Sequence, residues 1–74
     1  MKYRVSAVIE QDDDGFYAYC PELPGCQTQA DTFQEAIANI REAAALYMST
    51  LPKASRRELL SHEIVTTSVE VQCA

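Results

Sequence analysis

This chain of 74 residues has a single histidine, no cluster of basic side chains and no apolar run approaching the length of a membrane span. Each shortage closes off a class of function. A bilayer-spanning helix needs about 20 consecutive apolar residues. The opening stretch, MKYRVSAVIEQDDDG, carries Glu10 and three aspartates where a secretory signal requires its apolar region. Six Lys and Arg are scattered among eleven Asp and Glu, for a net charge of −5. Phosphate backbones are held by clustered cations, so direct DNA or RNA binding is not expected. Three cysteines make an odd count that suits a disulfide-stapled secreted domain poorly. A cytoplasmic protein is the simple expectation.

Seventy-four residues make one domain, over 1–74. A domain of this size buries only about 60% of its unfolded surface. Oligomerisation is a common remedy, so a homo-oligomer, a dimer or a tetramer, is expected. An acidic surface suits a basic partner, because opposite potentials speed encounter and select against wrong partners.

The short supply of His and Cys also limits chemistry. Cys20 and Cys26 are separated by five residues, whereas structural zinc pairs are usually closer and have a second pair downstream. His62 is distant from both and Cys73 more so, so no metal or other cofactor is expected. Cys20 and Cys26 would flank a hairpin loop as cross-strand neighbours, and in a reducing compartment they stay thiols that pack as small apolar residues. Nucleophilic catalysis would need His62 brought to a thiol, and nothing in the spacing does that. The run Glu10-Gln11-Asp12-Asp13-Asp14-Gly15 starts like a calcium loop, but Pro21 stands where its last carboxylate ligand belongs. An acidic hairpin turn accounts for it.

What is present is strongly patterned. Residues 2–10 alternate, with Tyr3, Val5, Ala7 and Ile9 on one face, as a strand requires. Gly15 closes a turn, residues 16–20 form an aromatic-rich second strand, residues 21–25 a second turn, and residues 26–30 a third strand. Thr32, or Asp31 one residue earlier, caps a helix whose apolar positions Phe33, Ala36, Ile37, Ile40, Ala44, Tyr47, Met48 and Leu51 recur every three or four residues. Pro52 ends it. Ser55 to Glu58 repeats the capping spelling and predicts a short helix through Leu60. Val65, Thr67, Val69 and Val71 alternate along a last strand, residues 63–72.

The predicted fold class is therefore α+β, in the order β-β-β-α-(short α)-β. A strand returning after a helical crossover joins parallel to one already present. The expected architecture is one mixed four-stranded sheet, order 3-2-1-4, with the long helix on one face and both outer strands free as edges. The element order β-β-β-α-β resembles that of the ribonuclease H fold, whose magnesium chemistry needs a carboxylate in the middle of the first strand. Ser6, Ala7 and Val8 stand there, leaving Glu42 and Glu70 without that partner. Tyr17 and Tyr19 pose a separate question. Either the short helix and loops cover their face, or they form a subunit interface, where Tyr is enriched.

Taken together, Tyr17, Tyr19, Cys20-Pro21-Glu22-Leu23-Pro24-Gly25-Cys26, Thr28, Gln29, Asp31-Thr32, Glu35-Ala36-Ile37, Asn39-Ile40 and Glu42-Ala43 resemble the core of HicB-family antitoxins over about residues 3 to 48. The resemblance has two signatures: a turn (Cys20, Pro21, Leu23, Pro24, Gly25, Cys26) and a helix (Glu35, Ala36, Asn39, Glu42, Ala43). It implies a degraded ribonuclease H-like fold without catalysis. It further implies that the chain binds and silences HicA, a small basic toxin that cuts mRNA. Many members carry Gly where this chain has Ala30. Longer members add a DNA-binding domain after the last strand, which is not expected here. On exposed turns, where binding residues gather, the candidate partner contacts are Asp12, Asp13, Asp14, Glu22 and Leu23; Tyr17 and Tyr19 are the candidate oligomer interface. The alternative function is an oligomeric binding or scaffold module with no toxin partner.

Overall fold

In the computed structural model, which describes residues 2–74, three antiparallel strands precede two helices. The strands are β1 (Val8–Asp12), β2 (Gly15–Tyr19) and β3 (Gln27–Ala30), in sheet order β1-β2-β3. The helices are α1 (Phe33–Ser49) and α2 (Lys53–Leu59).

Asp12 pairs with Gly15, so Asp13 and Asp14 form a two-residue turn between β1 and β2. The Asp14 backbone N–H donates to Asp12 Oδ1 at 2.8 Å, a side-chain turn of the kind Asp favours. Gly15 sits at φ 132°, and a Cβ there would come within 2.7 Å of the Ala30 carbonyl oxygen. Position 15 thus needs glycine for both its dihedral and the close approach of β3.

Register separates the two faces of the sheet. Ile9, Ala18 and Thr28 lie abreast, as do Gln11, Phe16 and Ala30. This is the face on which α1 packs, against β2 and β3. Ala18 and Ala36 are fully buried where strand and helix meet, with Ile40 and Met48 continuing the helix's inner stripe. Small residues at the centre let the helix sit close to the sheet. Phe33 closes one end, edge-on to Phe16 at 6.2 Å.

Thr32 is the N-cap, its hydroxyl accepting from the Glu35 N–H at 3.1 Å. Helix α1 stops at Ser49, before the residue that Pro52 would force out of helical geometry. The predicted start of the short helix is corrected: Pro52 stands at the N-cap of α2, three residues before Ser55. Arg56 joins the two helices. Its Nε donates to the Met48 carbonyl at 2.9 Å, and its guanidinium lies over the Tyr3 ring at 5.9 Å. A cation on the open carbonyls of a helix end offsets the helix dipole there.

Two expectations about strands are overturned. The first strand occupies Val8–Asp12 rather than residues 2–10. Tyr19 is the last residue of β2 and lies opposite Val8; beyond it the chain turns at Cys20, so residues 2–7 have no β2 backbone to pair with. Tyr3 and Val5 still pack against the core, which is what their alternation encoded. The fourth strand does not form. No strand is assigned to residues 60–74, and Val65, Val69 and Val71 are 74–77% exposed. The four-stranded mixed sheet of order 3-2-1-4, and with it the partial ribonuclease H topology, is replaced by a three-stranded antiparallel sheet. The radius of gyration, 14.4 Å, exceeds the about 11 Å of a compact chain of this length, as an outstanding segment requires.

Candidate partner-binding surface

The CPELPGC turn is two β-turns sharing Leu23. The Leu23 N–H donates to the Cys20 carbonyl and the Cys26 N–H to the Leu23 carbonyl, each at 3.0 Å. Pro21 takes the second position of the first turn and Pro24 that of the second, where a fixed φ near −65° is wanted. Gly25 follows at φ 82°, the positive value a type II turn requires there. Cys20 N–H then reaches the Cys26 carbonyl at 3.0 Å and closes the loop. The shared residue is drawn inward: Leu23 is 1% exposed, the largest fully buried side chain among the described residues.

Both flanking thiols are free and buried. Burial, and then the neighbouring Cys26, push the Cys20 thiol up to about 12. An un-ionised, enclosed thiol is a poor nucleophile. His62 lies on the outside of the same turn, in a shallow cavity shared with Pro21, Glu22, Ser55, Glu58, Leu59 and Ile64.

At the other end of β2 the acidic residues gather. Asp12 and Asp14 from the first turn, Asp31 from the β3–α1 junction and Glu35 from the first turn of α1 line one cavity of about 330 Å³. Tyr17, Gln29 and Asn39 complete its polar wall. Asp31, Gln29 and the signature residues Glu35 and Asn39 were not among the contacts read from the turns. Their signal was the spacing of Glu35 and Asn39, four residues apart and hence on one helix face. The other signature residues play different parts: Ala36 is buried, Ala43 is half-buried against the core, and Glu42 is exposed.

The five predicted contacts do not form one surface. Asp12, Asp13 and Asp14 are exposed at one end of the sheet, whereas Glu22 and Leu23 belong to the turn at the other. Leu23 is buried, correcting its placement on an exposed turn. Glu22 is occupied, both carboxylate oxygens accepting from the Ser6 N–H at 3.1 Å.

Tyr17 and Tyr19 lie on the sheet face away from α1, their rings 5.7 Å apart. Val8, Glu10, Gln27 and Gln29 share that face by register, and Tyr17 Oη donates to Gln27 Oε1 at 2.7 Å. The face is mixed rather than apolar. Helix α2 docks on the end of α1 through Arg56, leaving both tyrosines half-exposed.

Comparison with known proteins gives a consistent assignment. Residues 5–71 match the family described as HicB-like antitoxin of bacterial toxin-antitoxin system. A UPF0150 protein of Helicobacter pylori is 36% identical over 70 residues, 95% of this chain and 97% of that protein. A UPF0150 protein of Synechocystis is 48% identical over 50 residues, 66% of this chain and 63% of its own length. Another, from Thermoplasma acidophilum, is 48% identical over 54 residues, 72% of this chain and 75% of that protein. No solved structure matches the chain. The match spans nearly all of the chain and includes both the double turn and the α1 signature: this protein belongs to the HicB-like antitoxin family of bacterial toxin–antitoxin systems.

Proposed function

We propose that this protein is a non-catalytic antitoxin that binds and neutralises a small basic HicA-type toxin, meeting it in the cytoplasm where mRNA is cut. Family membership supports an antitoxin role. The observation that carries the finer reading is the convergence of Asp12, Asp14, Asp31 and Glu35 on one cavity beside Asn39. Carboxylates from three separate segments, in a chain of net charge −5, set up a negative potential at one end of the molecule. Such a field attracts a basic protein and raises its association rate. Inhibition follows from occlusion: a toxin whose cationic surface is covered cannot hold its RNA. The antitoxin contributes charge and shape, with no bond made or broken and no nucleic acid bound by this chain.

The test is coexpression with the product of an adjacent gene encoding a small basic protein, with mRNA cleavage as the readout. Cleavage should be suppressed by the parent and restored by the triple variant Asp12→Asn, Asp31→Asn, Glu35→Gln. A toxin left fully active by the parent would sink the reading. The open face bearing Tyr17 and Tyr19 favours a second reading, an oligomeric binding module acting through that face without a toxin. A chain that associates through Tyr17 and has no effect on any neighbouring gene product would favour it.

A further inference from the structure

Scattered along the sequence, the cations of this chain meet in space. Lys2, Arg4, Arg41 and Arg56, four of its six Lys and Arg, line two cavities of about 630 and 430 Å³. The cavities share Tyr3, Val5, Arg41 and Ala44, so they form one continuous groove between the segment before β1 and helix α1. No Asp or Glu lines either part, in a chain that has eleven. Helical spacing supplies neither helix arginine with a carboxylate. Arg41 has Ile37, Ala38, Ala44 and Ala45 three and four residues away, and Arg56 has Pro52, Lys53, Leu59 and Leu60.

Between the cations the groove is aliphatic, lined by Val5, Ala44, Ala45 and Met48. Along one wall, residues 2–6 make no backbone–backbone hydrogen bond among the described residues, and the Ser6 N–H is taken by the Glu22 carboxylate. Open backbone beside an apolar groove suits an extended peptide, whose main chain supplies the missing hydrogen bonds and whose alternate side chains fill the groove. From Ile37 to Ser49 the groove follows α1 for about 18 Å, at about 1.5 Å per residue, the reach of about six extended residues. Charge selects the occupant. At physiological ionic strength exposed charges more than about 8 Å apart are largely screened, so a docked segment meets these four cations rather than the net charge of −5. Nucleic acid fits less well. Single strands stack their bases on aromatic platforms, and the ring of Tyr3, the aromatic residue lining the groove, lies under the Arg56 guanidinium.

We infer that this groove docks an extended segment of a different protein in which apolar and acidic residues alternate. Its apolar side chains lie over Ala44, Ala45 and Met48, and its carboxylates meet Arg4, Arg41 and Arg56. This surface goes beyond the antitoxin reading and does not depend on it. The groove shares no residue with the acidic cavity, which suits a partner of the opposite sign.

Fluorescence anisotropy on the full chain tests it, with a labelled peptide of alternating Val and Glu about eight residues long, enough to overlap both ends of the groove. The peptide should bind at low salt and weaken as salt is added, and its Val-Lys counterpart should not bind. Arg41→Glu should weaken binding about tenfold or more, the scale of one lost charge-assisted hydrogen bond. Ala45→Glu should do the same by setting a carboxylate four residues from Arg41. Arg57→Glu, outside the groove, should leave binding unchanged. All three positions are exposed on helices, so far-UV spectra should match the parent's. A parent that binds neither peptide overturns the inference, as does equal binding of both or binding that survives Arg41→Glu. Equal losses in Arg41→Glu and Arg57→Glu would reduce the effect to general charge and overturn it too. Tighter binding of a uridine oligonucleotide than of the Val-Glu peptide would give the groove to nucleic acid. In the peptide-free protein, amide shifts at Ala44 and Ala45 that move on Val69→Lys would give it to the chain's own last residues. Either result is decisive against a partner segment.

Discussion

Glu22 and Ser6, 16 residues apart, are joined by a carboxylate that accepts one backbone N–H with both oxygens at 3.1 Å. This contact ties the residue two positions before β1 to the double turn that follows β2. A peptide N–H held by a side chain is not available to a strand ladder, and it tethers the approach to β1 onto the double turn. Tyr3 and Val5 are thereby held against α1 without a paired strand beneath them.

Glu22→Ala should therefore loosen residues 2–7 and lower stability by about 1–2 kcal/mol, the scale of a partly buried hydrogen bond to a charged acceptor. Urea unfolding measures the loss. Amide exchange at Ser6 should rise while exchange within β2 stays slow. Unchanged protection at Ser6 would contradict the tether.

Leu23→Ala removes the largest fully buried side chain among the described residues, from a turn rather than from a helix or strand. Large-to-small changes at such sites cost about 2–5 kcal/mol. For a domain whose total stability is on the order of 5–15 kcal/mol, thermal denaturation should show a drop of many degrees. A surface role for Leu23 predicts almost none.

The two glycines should separate by mechanism. Gly25→Ala meets nothing within 4 Å and suffers only the strain of φ 82°, about 1 kcal/mol for one residue held in the left-handed region. Gly15→Ala adds a clash with the Ala30 carbonyl at 2.7 Å, which must displace β3. Denaturant midpoints should place Gly15→Ala well below Gly25→Ala.

Alkaline stability should report Cys20. Its thiol is pushed up from the usual 9.0 to about 12 by burial and then by Cys26, so the folded chain keeps a proton that the unfolded chain gives up. The thiol's contribution is complete below pH 9 and is lost as pH rises toward 12, with a slope of up to about 1.4 kcal/mol per pH unit. Cys20→Ala should flatten that part of the stability–pH curve. With Ellman's reagent at neutral pH, the exposed Cys73 should react first and the buried pair only on unfolding.

Helix α1 was legible because its signals are local. Thr32 reaches Glu35 one turn away, and the stripe Ala36, Ile40, Met48 repeats with the helix's own period. The double turn was legible for the same reason, since Pro and Gly restrict their own dihedrals. The acidic cavity was only half legible. Asp12 and Asp14 announce a turn, but their meeting with Asp31 and Glu35 depends on β3 returning past Gly15. Leu23 was misread because a turn residue is ordinarily exposed, and nothing local says that two consecutive turns will fold it inward.

Periodicity alone determined which side chains share a face: Tyr3, Val5 and Ile9 at the start, Val65, Val69 and Val71 at the other end. Only the tertiary structure decided which of those faces has a neighbour. A strand's alternation is a property of its own backbone, whereas a ladder needs a second backbone in register. Pro21 turns β2 away after Tyr19, and Glu22 takes the Ser6 N–H. With no paired strand before Val8, the first segment is tethered to the body by side chains, and the valines of the last remain in solvent.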